Sequence, residues 1–200
     1  MKILVTGFEP FGEHKDNVTE KLIAALPKKI GVVNIVTQVL PVVYYRSSQI
    51  LTKKIQLHNP SAVISLGLAA GSSKIQIETS AQNKNSARIP DNKGNAPMDE
   101  PVIQDGEDFF PSNLPIALLY HSLKHAGYPV ALSQSAGTYV CNHVFYHLMN
   151  HVFIRKPSVI GGFIHYPQED KLSFQDQKSS LILLIKTIIA SLEPVPESFS

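Results

Sequence analysis

The chain has one cysteine, Cys141, among its 200 residues, which excludes an intramolecular disulfide and any zinc site built from several thiolates. It also lacks an excess of either charge. Eighteen Lys and Arg against sixteen Asp and Glu leave a formal +2 at pH 7, without the basic surplus of a nucleic-acid binder. No apolar run approaches the roughly eighteen residues of a membrane span. The opening Met1-Lys2-Ile3-Leu4-Val5-Thr6-Gly7 is too short an apolar stretch for the core of a signal peptide. Charged residues make up only 17% of the chain and hydrophobic ones 44%, a balance outside the disordered class. These absences predict a soluble, cytoplasmic protein with one reduced thiol and with neither nucleic acid nor membrane among its partners. The length suits a single domain, expected over residues 1–192, with a flexible tail over 193–200.

What is present is an alternation. Short β-branched runs at Lys2–Thr6, Val32–Leu40, Ala62–Leu66, Val130–Ser133 and Ser158–Ile164 are near-continuously apolar, as strands buried on both faces are. Between them lie amphipathic stretches at Val18–Leu26, Tyr44–His58, Pro115–Ala126, Thr138–Phe153 and Gln175–Leu192. The pattern predicts a single-domain, three-layer α/β/α sandwich with a mostly parallel, mixed and twisted sheet. Lys74–Gln82 alternates, as an added antiparallel strand would. From Asn83 to Asn113 the chain is rich in Asn, Asp, Gly and Pro without periodicity. An excursion of that length is functional or else disordered while the site is empty.

Ligands of open α/β sheets bind where strands end and helices begin, which directs attention to Cys141. With Thr138 as the expected N-cap, Cys141 stands in the first turn of a helix, where the free N–H groups and the helix dipole favour a thiolate nucleophile. The competing reading is a core cysteine, since Cys141 shares a helical face with Val144, Phe145, Leu148 and Val152. His165 ends a strand at the same sheet edge and is the candidate base. Glu78 is either a charge on a wet strand face or the carboxylate that orients His165. His143, His147 and His151 recur every four residues; they form either a zinc-binding face or a solvated or oligomer-facing one opposite the apolar stripe. No carboxylate is spaced to support a metal there, so no metal is expected. Phe8 and Phe11 are either walls for a small flat ligand or an aromatic cap on the core. Asn17 is expected to cap the first helix and is also a substrate-binding candidate.

Several stretches carry a family resemblance: Thr6-Gly7-Phe8-Glu9-Pro10-Phe11-Gly12, Leu40-Pro41-Val42, Ala87-Arg88-Ile89-Pro90-Asp91-Asn92, Ser135-Ala136-Gly137-Thr138-Tyr139-Val140-Cys141-Asn142 and Gly162-Phe163-Ile164-His165. In these the chain, from Met1 to about Leu192, resembles the pyrrolidone-carboxyl peptidases, or type I pyroglutamyl peptidases. The resemblance implies a cofactor-free cysteine exopeptidase that removes N-terminal pyroglutamyl residues from small peptides, and it implies a homo-oligomer, a tetramer. It places the catalytic Glu, Cys and His on Glu78, Cys141 and His165, the ring-sandwiching aromatics on Phe8 and Phe11, and an Arg that supports the substrate carbonyl or the oxyanion on Arg88. Leu68 stands where the family usually has a Gln, expected to act through its backbone. Ala70-Gly71-Ser72 stands where Gly-Gly-Arg is frequent, and Tyr166 replaces a small aliphatic residue. The alternative within the same resemblance is a catalytically impaired relic that binds pyroglutamyl peptides.

Overall fold

The computed structural model describes residues 1–192; the tail expected at 193–200 lies outside the described residues. Nine strands and five helices follow in the order β1 (Lys2–Phe8), α1 (Val18–Ala24), β2 (Lys29–Ile30), β3 (Val33–Leu40), α2 (Arg46–His58), β4 (Ala62–Leu68), β5 (Ile75–Glu78), β6 (Ser80–Gln82), β7 (Phe109–Pro111), α3 (Ile116–His125), β8 (Val130–Ser133), α4 (Val140–Arg155), β9 (Ile160–Tyr166) and α5 (Phe174–Leu192). Seven strands form one sheet in the order β2-β3-β1-β4-β9-β5-β8. Strands β3, β1, β4 and β9 run parallel. β5 turns antiparallel to β9, and β8 runs parallel to β5.

The central strands are buried on both faces because alternate side chains enter different cores. Ile3, Val5, Ile64, Leu66 and Ile164 pack with Leu22 of α1, Leu119 of α3 and Leu184 of α5. Leu4, Val63 and Phe163 pack on the other side with Leu51 and Ile55 of α2 and Val144, Phe145 and Leu148 of α4. This is the three-layer α/β/α sandwich expected from the alternation.

Two local expectations change. β8 is an edge strand, and Leu132 on it is 51% exposed, so its apolar run does not mark burial on two faces. The alternating stretch 74–82 divides. β5 is the antiparallel addition, whereas β6 leaves the sheet and pairs with β7.

The excursion over 83–113 is organised by side-chain hydrogen bonds. Asn83 Nδ2 donates to the Ile103 and Gly106 carbonyls, and its Oδ1 accepts from the Ile103 N–H. Asn85 and Glu100 form a backbone bridge. The buried Asp91 carboxylate accepts from the N–H groups of Tyr44, Lys93 and Asn95 and from the Asn95 side chain, which holds it below the ordinary carboxylate pKa against the opposing effect of its burial. Short polar residues that bond nearby backbone do here what a periodic ladder does elsewhere.

Candidate active site

Helix α4 begins one residue later than its sequence suggests. Tyr139, not Thr138, is the N-cap, and Tyr139 provides no side-chain cap. The Thr138 hydroxyl donates instead to the Ser86 carbonyl at 2.8 Å, because Gly137 at φ +78° turns the chain so that Thr138 faces the excursion. Cys141 therefore occupies the second helical position, among first-turn N–H groups that Tyr139 leaves uncapped. It is half-buried at the edge of the α2–α4 core.

His165 is brought beside it by β9. Its Nδ1 lies 2.7 Å from Glu78 Oε1, and both residues are nearly sealed from solvent, His165 at 7% and Glu78 at 0% exposed. Glu78 reaches this place because β5 pairs antiparallel with β9, setting Gln76 opposite His165 and Ile77 opposite Ile164. The last residue of β5 then carries its carboxylate to the imidazole. Glu78 is thus buried against the His165 ring and is not a charge on a wet face. Burial alone would drive His165 toward the neutral ring. Hydrogen bonds and charge interactions with Cys141 and Glu78 overcome it and raise the imidazole to about 9.

A small cavity opens on Cys141, lined by Phe8, Phe11, Asn17, Val42, Leu68, Tyr139 and Val140. It holds no carboxylate and no cation. Phe8 faces two ways, since its ring packs 6.4 Å from Phe163 in the core and also lines the cavity. Phe11 faces Tyr139 with ring centroids 5.9 Å apart. Asn17 lines the cavity and caps α1: its Oδ1 accepts from the Thr19 N–H, and its Nδ2 donates to the Glu9 carbonyl. Arg88 is exposed and stands outside this cavity, in a groove beyond Tyr139.

The sequence model of the pyroglutamyl peptidase family matches residues 1–195. The chain is 41% identical to the pyrrolidone-carboxylate peptidase of Thermosipho melanesiensis, covering 95% of this chain and 99% of that one. It is 40% identical to the pyrrolidone-carboxylate peptidase of Brevibacillus brevis, covering 96% and 89%. The pyrrolidone carboxyl peptidase of Pyrococcus furiosus has the same fold, with a TM-score of 0.93 at 35% identity over 96% of this chain and 100% of that one. Pyroglutamyl peptidase I of Bacillus amyloliquefaciens matches with a TM-score of 0.91 at 36% identity, over 97% and 99%. This chain belongs to the pyroglutamyl peptidase family.

In this member of the pyroglutamyl peptidase family, residues that periodicity did not single out hold the site together. Glu9 Oε1 accepts from the Val42 N–H and the Asn92 side chain, joining the Phe8–Phe11 loop to the cavity segment at Val42 and to the excursion. The Tyr139 hydroxyl donates to the Pro90 carbonyl. The Asn142 side chain clamps the backbone of Gln82 and Lys84, which fixes α4 against the end of the Glu78 segment. Tyr166 is fully buried among α3- and α5-side residues, where its hydroxyl accepts from Ser180, so this departure from the family pattern lies away from the cavity.

The histidine face of α4 is not the solvated surface that its position opposite the apolar stripe suggests, since His143 and His151 are buried. His143 is fully buried: its Nε2 accepts from the Tyr45 N–H at 3.0 Å, and its Nδ1 lies 3.1 Å from Asn85 Oδ1. Both ring nitrogens are engaged, with the proton on Nδ1. Burial, followed by the neighbouring His147, depresses its pKa to about 3, and burial depresses that of His147 to about 4. The period of the helix identified one buried stripe, but α2 and the excursion cover this face as well.

Gly67 is required by close approach. It pairs with His165 across β4 and β9, and a Cβ there would lie 2.7 Å from His165 Cδ2 and Nε2 and from Phe163 Cε1. Gly67→Ala should therefore displace the imidazole and lower kcat by about 100-fold. Steady-state kinetics on a pyroglutamyl amide, with circular dichroism to establish that the variant is folded, would check this; an unchanged kcat would refute it.

Proposed function

We propose that this chain is a cysteine exopeptidase that hydrolyses the bond following an N-terminal pyroglutamyl residue, with Cys141 as nucleophile, His165 as proton carrier and Glu78 as its orienting partner. The observation that carries the proposal is a Cys–His–Glu set opening on a cavity without a charged side chain. A pyroglutamyl end is a neutral lactam and enters such a cavity without desolvating an ion, whereas an ordinary N-terminus brings an ammonium group that nothing in the cavity pairs.

In this mechanism the Cys141 thiolate adds to the scissile carbonyl. The oxyanion is stabilised by N–H groups at the start of α4, that of Cys141 among them. Collapse expels the peptide amine, which takes a proton from the His165 imidazolium, and leaves a pyroglutamyl thioester. The now neutral His165 removes a proton from water, which attacks the thioester and restores the thiol as pyroglutamate leaves. The balance closes with thiol, imidazole and water alone, so no cofactor enters. Phe8 and Phe11 are the proposed walls for the ring, and Leu68 and Asn17 complete its surroundings. The cavity's free volume is about 10 Å³, on the order of one water molecule, so admission of the ring requires the lining side chains to move. The family resemblance supports a cytoplasmic homotetramer acting on small pyroglutamyl peptides.

Release of a fluorescent amine from a pyroglutamyl amide, with the matching prolyl amide as control, tests the reading. Proline has a ring of the same size but lacks the lactam carbonyl and carries a cation. The pyroglutamyl amide should be favoured in kcat/KM by about 10⁴-fold, the discrimination typical of a site built to bond a group the analogue lacks. Comparable rates on the two amides, or binding of the pyroglutamyl amide without turnover by folded, reduced protein, would overturn it. The latter outcome is the one a binding relic gives.

A further inference from the structure

Two recesses of opposite electrostatic character adjoin the walls of the Cys141 cavity. Past Leu68 lies a cleft edged by Asp16, Glu169 and Asp170, in which Lys21 is already shared between Asp16 at 3.4 Å and Glu169 at 3.0 Å. Past Tyr139 lies a groove of about 630 Å³ that runs along Gly137 and Thr138 to Arg88. Arg88 also borders the adjoining space of about 750 Å³ that contains Lys74, Ser72 and Gln76. No carboxylate lines either part of this groove. Among the described residues neither Arg88 nor Lys74 makes an ion pair, and both are exposed.

The register of the sheet sets a residue of the cationic recess beside the proton carrier. The leaving amine takes its proton from His165, so the chain beyond the scissile bond departs on the His165 side of Cys141. His165 is paired in register with Gln76, and Gln76 lines the groove with Arg88 and Lys74. A side chain on the residue after the pyroglutamyl group is thereby delivered toward two unneutralised cations.

We propose that the Arg88–Lys74 groove selects pyroglutamyl peptides whose next residue is acidic, making Arg88 and Lys74 specificity-determining residues of the leaving-group side. The inference rests on the pyroglutamyl peptidase reading above. It assigns Arg88 to the leaving peptide and not to the oxyanion, consistent with its exposure and its absence from the cavity lining. Cations with high exposure act by modest, salt-screened attraction, so the effect is a preference and not an absolute requirement.

The test uses three C-terminally amidated peptides, pyroglutamyl-Glu-Ala, pyroglutamyl-Gln-Ala and pyroglutamyl-Lys-Ala, so that no terminal carboxylate competes. Expected is a kcat/KM order Glu, Gln, Lys, with about 10-fold between the extremes at low salt, shrinking severalfold at high salt. Lys74→Gln should reduce the Glu-to-Gln ratio about 2- to 3-fold while leaving turnover of the Gln peptide unchanged, and Arg88→Gln should reduce the same ratio. Equal rates on the three peptides, or a ratio that neither substitution moves, would overturn the proposal. Uniform slowing of all three by Arg88→Gln would return Arg88 to the oxyanion. Absence of turnover on every peptide would strike the parent reading; dissociation constants of the Glu and Lys peptides for Cys141→Ala protein then decide the groove separately, equal affinities overturning it.

Discussion

Cys141→Ala should abolish amine release from a pyroglutamyl amide, lowering the rate by about 10⁴-fold or more, the scale on which loss of a nucleophile acts in related acyl-transfer sites. The substitution removes one half-buried sulfur and none of the clamps around it. The Asn142 bonds to Gln82 and Lys84, the Tyr139 bond to Pro90 and the His165–Glu78 pair all remain, so the variant should fold and still admit substrate. Cys141→Ser is the more demanding test, because it keeps a nucleophilic atom in place. A hydroxyl is far less acidic than a thiol and does not ionise at neutral pH merely by standing at a helix start. Serine should therefore be nearly as inactive as alanine. Full activity in Cys141→Ser, measured on material free of wild-type protein, would remove Cys141 from the mechanism.

His165→Ala should cost about 10³-fold or more, since proton transfer to the leaving amine and activation of water are both lost. The loss should be smaller on substrates whose leaving amine is weakly basic, because such a group departs with less need of a proton; a purely structural role for His165 would not produce that dependence. Glu78→Gln retains the shape of the carboxylate and should be milder, about 10- to 100-fold. The pH profile separates the two roles. The folded-state imidazole near 9 is protonated below that pH and loses its proton as pH rises through it, so acylation should decline above about pH 9. Glu78 is one of the groups that raises the value, and its replacement by Gln should move that alkaline limb to lower pH. A limb that stays in place in Glu78→Gln would show that the carboxylate does not act through His165.

The elements that carry the site were largely legible in the chain because their signals are local. Five helical periods and the apolar runs around them correspond to α1 to α5 and to the central strands, with ends shifted by at most two residues. The family motifs pointed to Glu78, Cys141 and His165, which the fold gathers at one edge of the sheet. What local pattern could not supply was the set of neighbours. His143 is held by Asn85 and by the Tyr45 N–H, 58 and 98 residues away along the chain, so its burial depends on segments that no helical period encodes. The placement of Arg88 depends on how the excursion folds back, and that is decided by Asp91 gathering Tyr44, Lys93 and Asn95. The N-cap moved to Tyr139 for a similar reason: the Thr138 hydroxyl found a carbonyl 52 residues away in preference to its own helix.

The solitary thiol has a practical consequence. Cys141 is the chain's one cysteine and lines the cavity half-buried, so a thiol-selective reagent is consumed there and at no other side chain. With Cys141 as the proposed nucleophile, thiol stoichiometry becomes an active-site titration, and a fluorophore or spin label attached there needs no background cysteines removed first. Labelling rates with and without a bound lactam would then measure how far a ligand closes access to the cavity.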